Sequence, residues 1–300
     1  MERVPELDGV RGIAILFVLI AHFGAPLAPW GPLRELLGAG RYGVDLFFVL
    51  SGYLITGILL ETRGQANYFK RFYLRRVFRI FPIYYLYLGL YFAVVGRTRI
   101  SPLWYMAYVS NWRDARLQPS LLLHFWSLAI EEQFYLVWPL IVLLVPRPAL
   151  KYASMAMAAA SPIAIWIAAP YGLPVSVINR GTVFHLTPIA LGCLLAALKA
   201  KPPNWKPFRM RWLVDWGRYS YGAYVWHPIA LAAVVRLLSL SPSFWRMGAS
   251  LLIGIPLTYA LARLSWWLIE NPFALVKERL TEGLRGRTNK TPAVAHAAQR

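Results

Sequence analysis

The stretch "LDGVRGIAILFVLIAHFG" (residues 7–24) decides how this chain is to be read. Runs of roughly 17–25 apolar residues are long enough to cross about 30 Å of hydrocarbon, and this one reads as a span over about 12–30. It nevertheless carries Arg11 at one end and His22 inside. A separation of eleven residues corresponds to about 1,100° of helix rotation, within about 20° of three full turns, and a rise of about 16 Å. The two side chains therefore share one stripe, with Arg11 expected at the cytoplasmic boundary and His22 near the midplane. Ionisable groups at such depth are costly, and each is a functional candidate for that reason. The plainer readings are a basic flank paired with Asp8 at i,i+3 for Arg11 and a helix-to-helix hydrogen bond for His22. Histidine is also the side chain best suited to move protons near neutral pH.

Composition extends the membrane reading to the whole chain. Of its 300 residues, 58% are hydrophobic and 15% aromatic, and the mean hydropathy is +0.47, above the ordinary globular mix. Apolar blocks fall at about 12–30, 44–61, 81–96, 128–145, 152–169, 182–198, 218–238 and 247–269. They predict an all-α polytopic transmembrane bundle of about eight spans, since a barrel would alternate over ten-residue strands. The net charge of +19 invites a nucleic-acid reading, but Lys and Arg cluster between the blocks. Twenty-two lie on the side of the N-terminus and nine on the other, with Arg263 inside the last block. By the positive-inside rule both termini are cytoplasmic and no nucleic-acid partner is expected. A cleaved signal peptide ending near "APLA" (25–28) is disfavoured, because polar residues in a discarded segment would serve nothing. The single cysteine, Cys193 in "IALGCLLAAL", cannot form an internal disulfide and reads as a small buried residue. Residues 1–273 form the membrane domain. The basic tail 274–300 reads as a short cytoplasmic surface helix followed by disorder. With no soluble catalytic domain in view, any chemistry falls to the membrane domain.

Four further stretches carry polar residues at informative spacing. In "NYFKRFYLRRVFRIFP" (67–82), Phe69, Phe72, Tyr73, Val77 and Ile80 follow helical spacing, predicting an amphipathic helix on the cytoplasmic surface that turns into the next span at Pro82. Arg76 and Arg79 share a face, and Arg75 with Arg79 makes a second pair. They suit either anionic lipid or a phosphate clamp of forked guanidinium donors. "HFWSLAIEEQFYLVWP" (124–139) places Glu131 and Glu132 in the first turns of a span that Ser127 could cap. Capping electrostatics account for Glu132, whereas Glu131 aligns with Tyr135 and Trp138 on an interior stripe expected near the external side. "YGVDLFFVLSGYLI" (42–55) sets Asp45 at the external end of a span and Ser51 within it. "GRYSYGAYVWHP" (217–228) puts Tyr221, Tyr224 and His227 in the cytoplasmic half of another, with packing as the plain alternative. Asp45, Ser51, Tyr135, Tyr221 and His227 are candidates for substrate contact. His124 is placed in an external loop.

Taken in order, "LDGVRGIAILFVLIAHF", "GVDLFFVLSGYLI", "YLRRVFRIFP", "WSLAIEEQFYLVWP", "RYSYGAYVWHP" and the closing "IENPF" resemble the acyltransferase family 3 of bacterial integral-membrane O-acyltransferases, over about residues 5–273. The resemblance implies a multi-pass protein of the bacterial inner (cytoplasmic) membrane. It would pass an acyl group, usually acetyl, from cytoplasmic acyl-CoA to a hydroxyl of a glycan or other cell-envelope acceptor. Acyl-CoA is then a co-substrate, with no permanently bound cofactor and no metal. Arg11 and His22 match the family's arginine-to-histidine motif, Arg76 and Arg79 its arginine pair, and Glu131 the glutamate of its "WSLxxExQFY" pattern. The expectation that follows has Arg11, Arg75, Arg76 and Arg79 holding the donor. His22 acts as general base or, alternatively, becomes acylated, while Glu131 orients His22 or binds the acceptor. Family members commonly have about ten spans against the eight read here, and some carry an appended esterase-like domain that is not seen in these residues. A transporter of an acidic or glycan solute would also place polar residues along an interior path, but gives no reason for the ordered motifs. A structural scaffold would predict an apolar interior.

Overall fold

Pro5 opens the first helix, where its fixed φ and missing N–H cost nothing. The computed structural model describes residues 4–96, 99–113, 115–173, 175–202, 204–238, 241–277 and 280. In chain order the helices are α1 (Pro5–Gly24), α2 (Gly31–Gly38), α3 (Tyr42–Thr62), α4 (Tyr68–Val95), α5 (Pro102–Met106), α6 (Phe125–Leu144), α7 (Leu150–Ala168), α8 (Val175–Ile178), α9 (Leu186–Ala197), α10 (Arg211–Arg218), α11 (Ser220–Leu238) and α12 (Phe244–Ser265). The last passes into a π-helical stretch, Trp266–Glu270. Among the described residues there is no strand, so the all-α expectation holds.

By length and composition, seven helical stretches among the described residues can cross a membrane: Pro5–Leu27, Gly31–Thr62, Tyr68–Val95, Ser120–Leu144, Arg147–Tyr171, Ser220–Leu238 and Phe244–Lys277. The remaining block, 182–198, becomes the shorter apolar stretch Thr182–Ala197. It stays in the bundle by intimate packing on α3. A Cβ on Gly52 would sit 2.0 Å from the Ile189 carbonyl oxygen, and one on Gly192 would sit 2.0 Å from that of Val49. Small residues that let backbones touch are the usual way helices associate where lipid removes the hydrophobic drive. Cys193, the neighbour of Gly192, is fully buried there, as expected.

Two expectations about local structure are corrected. The stretch 67–82 is not a separate surface helix: α4 runs unbroken through Pro82 to Val95. A proline removes one backbone bond of many, and burial of Phe72, Ile80, Ile83, Tyr84 and Tyr87 holds the helix on both sides of it. Phe69 and Val77 of the apolar face stay exposed and do not join the buried set. The frame of the first helix also shifts. Because α1 begins at Pro5, Arg11 lies nearly two turns inside it, and His22 stands two residues from its end rather than at its middle.

The loop expected over 199–217 contains α10, which packs on the start of α1. Gly217 lies so close that a Cβ there would overlap the Asp8 carbonyl oxygen at 1.8 Å. Glu6 of α1 is paired with Arg209 just before α10. The interior itself is aromatic, and its tyrosine hydroxyls tie distant segments together. Tyr68 donates to the Pro139 carbonyl at 3.0 Å, Tyr84 to that of Tyr105 at 2.8 Å and Tyr87 to that of Leu121 at 2.9 Å. Such rings suit a core where one end is apolar and the other must find a partner. The helix after Phe273 continues to Lys277, and most of the predicted basic tail lies outside the described residues.

Candidate active site

A cavity of about 270 Å³ runs between α1, α3, α4, α6 and α11. Its extent along α3, from Val44 to Ile58, corresponds to about 21 Å of helix rise. One part is charged: Arg11, Arg76 and Arg79 face Asp8 and Glu131. The remainder is largely apolar, with Val44, Phe47, Phe48 and Leu128 among its walls. Three guanidinium groups against two carboxylates leave this lining with an excess of positive charge.

The helix periods explain why these residues meet. Arg76, Arg79 and Ile80 stand on the inward face of α4, one turn apart. The Arg76 guanidinium lies 5.5 Å from the centroid of the Tyr135 ring and 5.8 Å from that of Phe72, a cation–π arrangement. Its Nε is buried without a hydrogen-bond partner. An unsatisfied buried donor costs about 1–3 kcal/mol, so this N–H favours an acceptor that enters the cavity. Arg11 forms the expected i,i+3 pair with Asp8, Nη1 to Oδ1 at 3.4 Å, and lies within electrostatic reach of Arg76 and Arg79. Arg75 does not reach the cavity. It lines a smaller pocket beside Tyr68, Arg71 and Phe72, because it sits on the flank of α4 rather than on its inward face.

Glu131 is one of the two carboxylates of this chamber. Ser51 Oγ donates to its Oε1 at 2.7 Å, and the Tyr135 hydroxyl lies 3.3 Å from Oε2 and 3.2 Å from Ser51 Oγ. Arg76 and Arg79 act on it electrostatically. Of the two roles expected for Glu131, orienting His22 or binding the acceptor, the first finds no contact with His22 among the described residues, and Glu131 stands with the arginines. Glu131 and Glu132 lie beyond the first turn of α6, which contains no acid, and Ser127 does not cap that helix. Ser127 instead meets the Tyr224 hydroxyl at 2.5 Å. Glu132 leaves one buried oxygen, Oε1, unpartnered. Trp138 extends the predicted stripe, donating from Nε1 to Thr56 Oγ1 at 2.8 Å.

A second assembly lies past Tyr224. The rings of His22 and His227 are 4.8 Å apart, edge to face, and His227 is 5.3 Å from His124. His227, in the first half of α11, is thus a neighbour of His22. His124, expected in an external loop, is turned inward at the head of α6 and buried. The His22 Nδ1–H donates to the Val18 carbonyl at 2.8 Å, which leaves the Nε2 lone pair free to take a proton. His227 repeats the pattern, Nδ1–H to the Tyr224 carbonyl at 2.7 Å, with its Nε2 unpartnered. Both ring nitrogens of His124 are also without partners. Among the described residues none of the three histidines lines the cavity.

Of the remaining candidates, Tyr221 lines the cavity and donates to the Ile80 carbonyl at 2.8 Å. Asp45 stands apart, within reach of His185 and Arg41. Sequence reasoning missed Glu270, which acts electrostatically on Arg79 and lies 3.4 Å from Ser265 Oγ. The signal for it was its place in "IENPF", a charged residue in an otherwise apolar end.

Comparison with known proteins follows the same residues. The chain is 27% identical to the peptidoglycan O-acetyltransferase OatA of Listeria monocytogenes over 90% of its length, covering 56% of that relative. It is 40% identical to the putative peptidoglycan O-acetyltransferase YrhL of Bacillus subtilis over 46% of the chain and 23% of the relative. It is 30% identical to the O-acetyltransferase OatA of Staphylococcus aureus over 69% of the chain and 36% of the relative. The chain thus spans about half, or less, of the length of these curated relatives. No solved structure matches it. The family model described as an acyltransferase domain matches residues 4–214, a stretch that holds Arg11, His22, Ser51, the α4 arginines and Glu131. The chain belongs to the acyltransferase family whose motifs it resembles.

Proposed function

We propose that this chain is a multi-pass O-acyltransferase of the bacterial inner membrane. In this reading it takes an acyl group, acetyl above all, from cytoplasmic acyl-CoA and delivers it to a hydroxyl of a cell-envelope glycan. Residues 1–273 act as the catalytic membrane domain, with 274–300 as a basic cytoplasmic tail. The observation that carries the reading is the cavity with Arg76 Nε buried and unpartnered in its arginine-lined part. Acyl-CoA has anionic phosphates at one end and a thin, flexible arm at the other. Arg11, Arg76 and Arg79 would hold the phosphates by charge-assisted hydrogen bonds, and the apolar part of the cavity would take the arm. Glu131, fixed by Ser51 and Tyr135, would keep Arg76 and Arg79 in place.

His22 would serve as general base. With Nδ1–H engaged by Val18, its Nε2 accepts the proton of the acceptor hydroxyl as that oxygen attacks the thioester carbonyl. Collapse of the tetrahedral adduct breaks the C–S bond, and the proton on His22 goes to the departing CoA thiolate. A site shielded from bulk water would limit hydrolysis of the thioester. The names of the relatives favour peptidoglycan as the acceptor.

The test is to incubate the purified protein, in lipid vesicles, with acetyl-CoA labelled in the acetyl group and peptidoglycan fragments. Transfer of label to a glycan hydroxyl is expected. Movement of glycan across the vesicle without label transfer would establish a transporter and end this reading. The cytoplasmic origin of the donor is tested by cysteine labelling in intact cells, where Gly38→Cys reacts with an impermeant thiol reagent and Arg63→Cys does not.

A further inference from the structure

Tyr224 occupies the boundary between the cavity and the histidines. It lines the cavity, and its ring lies 5.6 Å from His227 and 5.6 Å from His124. On the cavity side Phe47 packs against it edge to face at 6.4 Å. The ring is fixed in place: its hydroxyl donates to the His124 carbonyl at 2.9 Å and meets Ser127 Oγ at 2.5 Å, while its own carbonyl holds His227. A side chain tied at its tip and at its backbone, and buried in both directions, makes a rigid wall.

We propose that Tyr224, backed by Phe47, is the end wall of the donor cavity and sets the length of acyl group that the protein accepts. This rests on the donor reading given above. A donor whose phosphates sit at Arg11, Arg76 and Arg79 points its arm along the cavity, and its acyl end meets the Tyr224 ring, which packs on His227, the neighbour of His22. An acetyl group ends there. A butyryl group carries two more methylenes into a wall whose hydroxyl is bonded twice, and forcing extra methylenes into a packed site costs about tenfold or more in affinity. The two tyrosines of this helix thus differ in duty, since Tyr221 is engaged by the Ile80 carbonyl beside the arginines.

The experiment measures competition of CoA, acetyl-CoA and butyryl-CoA against labelled CoA on the purified full chain in detergent. For the parent protein, butyryl-CoA is expected to bind at least tenfold more weakly than acetyl-CoA. Tyr224→Phe retains the ring and should retain that ratio. Tyr224→Ala removes it and should bring the ratio to within about twofold of unity. Phe47→Ala, which opens the same wall without touching the hydroxyl bonds, should move the ratio in the same direction and decides the matter if Tyr224→Ala fails to accumulate. A parent that binds CoA but shows the same ratio as both alanine variants overturns the end wall and leaves the donor reading standing. A parent that binds none of the three ligands overturns the donor reading, and the wall with it.

Discussion

The arginine-lined part of the cavity and the histidine cluster begin on the same helix, eleven residues apart, and they are built on opposite principles. In the first, Glu131 is fully engaged, with Ser51 on one oxygen and Tyr135 on the other, and the open position is a cationic donor, Arg76 Nε. The second contains open positions, with the Nε2 of His227 and both nitrogens of His124 unpartnered. A chamber that must hold a fixed anion gains from saturated, rigid partners, which keep guanidinium groups aimed without reorganisation. A group that must take and release a proton needs a free lone pair and a tautomer set by its other nitrogen. On the function proposed above, binding and proton transfer are divided between two places, with Tyr224 between them.

That division is open to direct attack. The largest effect is expected at the histidines. His22→Gln retains approximate size and hydrogen bonding but takes up no proton, so acyl transfer should fall about 10²–10⁴-fold, while CoA binding stays within about twofold of the parent. Transfer at a near-parental rate would make His22 a packing residue. Next comes the arginine face. Arg76→Ala or Arg79→Ala removes charge-assisted bonds worth about 1.5–3 kcal/mol, which predicts roughly ten- to a hundredfold weaker CoA binding at unchanged membrane abundance. A double variant that binds CoA like the parent would assign the arginines to lipid.

Ser51→Ala, which deletes one hydrogen bond to the Glu131 carboxylate, should weaken CoA binding by about two- to tenfold, because that loss reaches the ligand only through Arg76 and Arg79. No change would mean that Glu131 does not need anchoring to serve the arginines. The smallest effect is expected at Arg75. Because it lies outside the main cavity, Arg75→Ala should leave CoA affinity within about twofold of the parent. A loss as large as that of Arg76→Ala would show that the cavity extends past the Phe72 wall when the ligand is bound.

The comparison also sorts what could be read in advance. Hydropathy blocks, the pairing of Arg11 with Asp8, the helical face of Arg76 and Arg79, and the register of Glu131, Tyr135 and Trp138 were all legible, because each depends on spacing within one helix. The failures share one cause. Pro82 suggested a break, yet packing of Ile80, Ile83 and Tyr84 carries the helix through it. Ser127 suggested a cap, yet its hydroxyl is spent on Tyr224, 97 residues away. His124 was assigned to a loop from its position between apolar blocks, although the leucines and aromatic residues around it in "LLLHFW" already hinted at burial.

What the sequence determined by itself was the kind of molecule: apolar blocks of membrane length, a basic asymmetry across them, and single-helix stripes of polar residues, all consequences of local periodicity and composition. Only the tertiary structure decided which stripes face one another. Helix rotation and packing depth are set by contacts between distant segments, such as the glycine crossing of α3 on α9 and the seat of Gly217 on Asp8. Those contacts, which no local pattern encodes, joined Glu131 to the arginines and brought His22, His227 and His124 into one cluster.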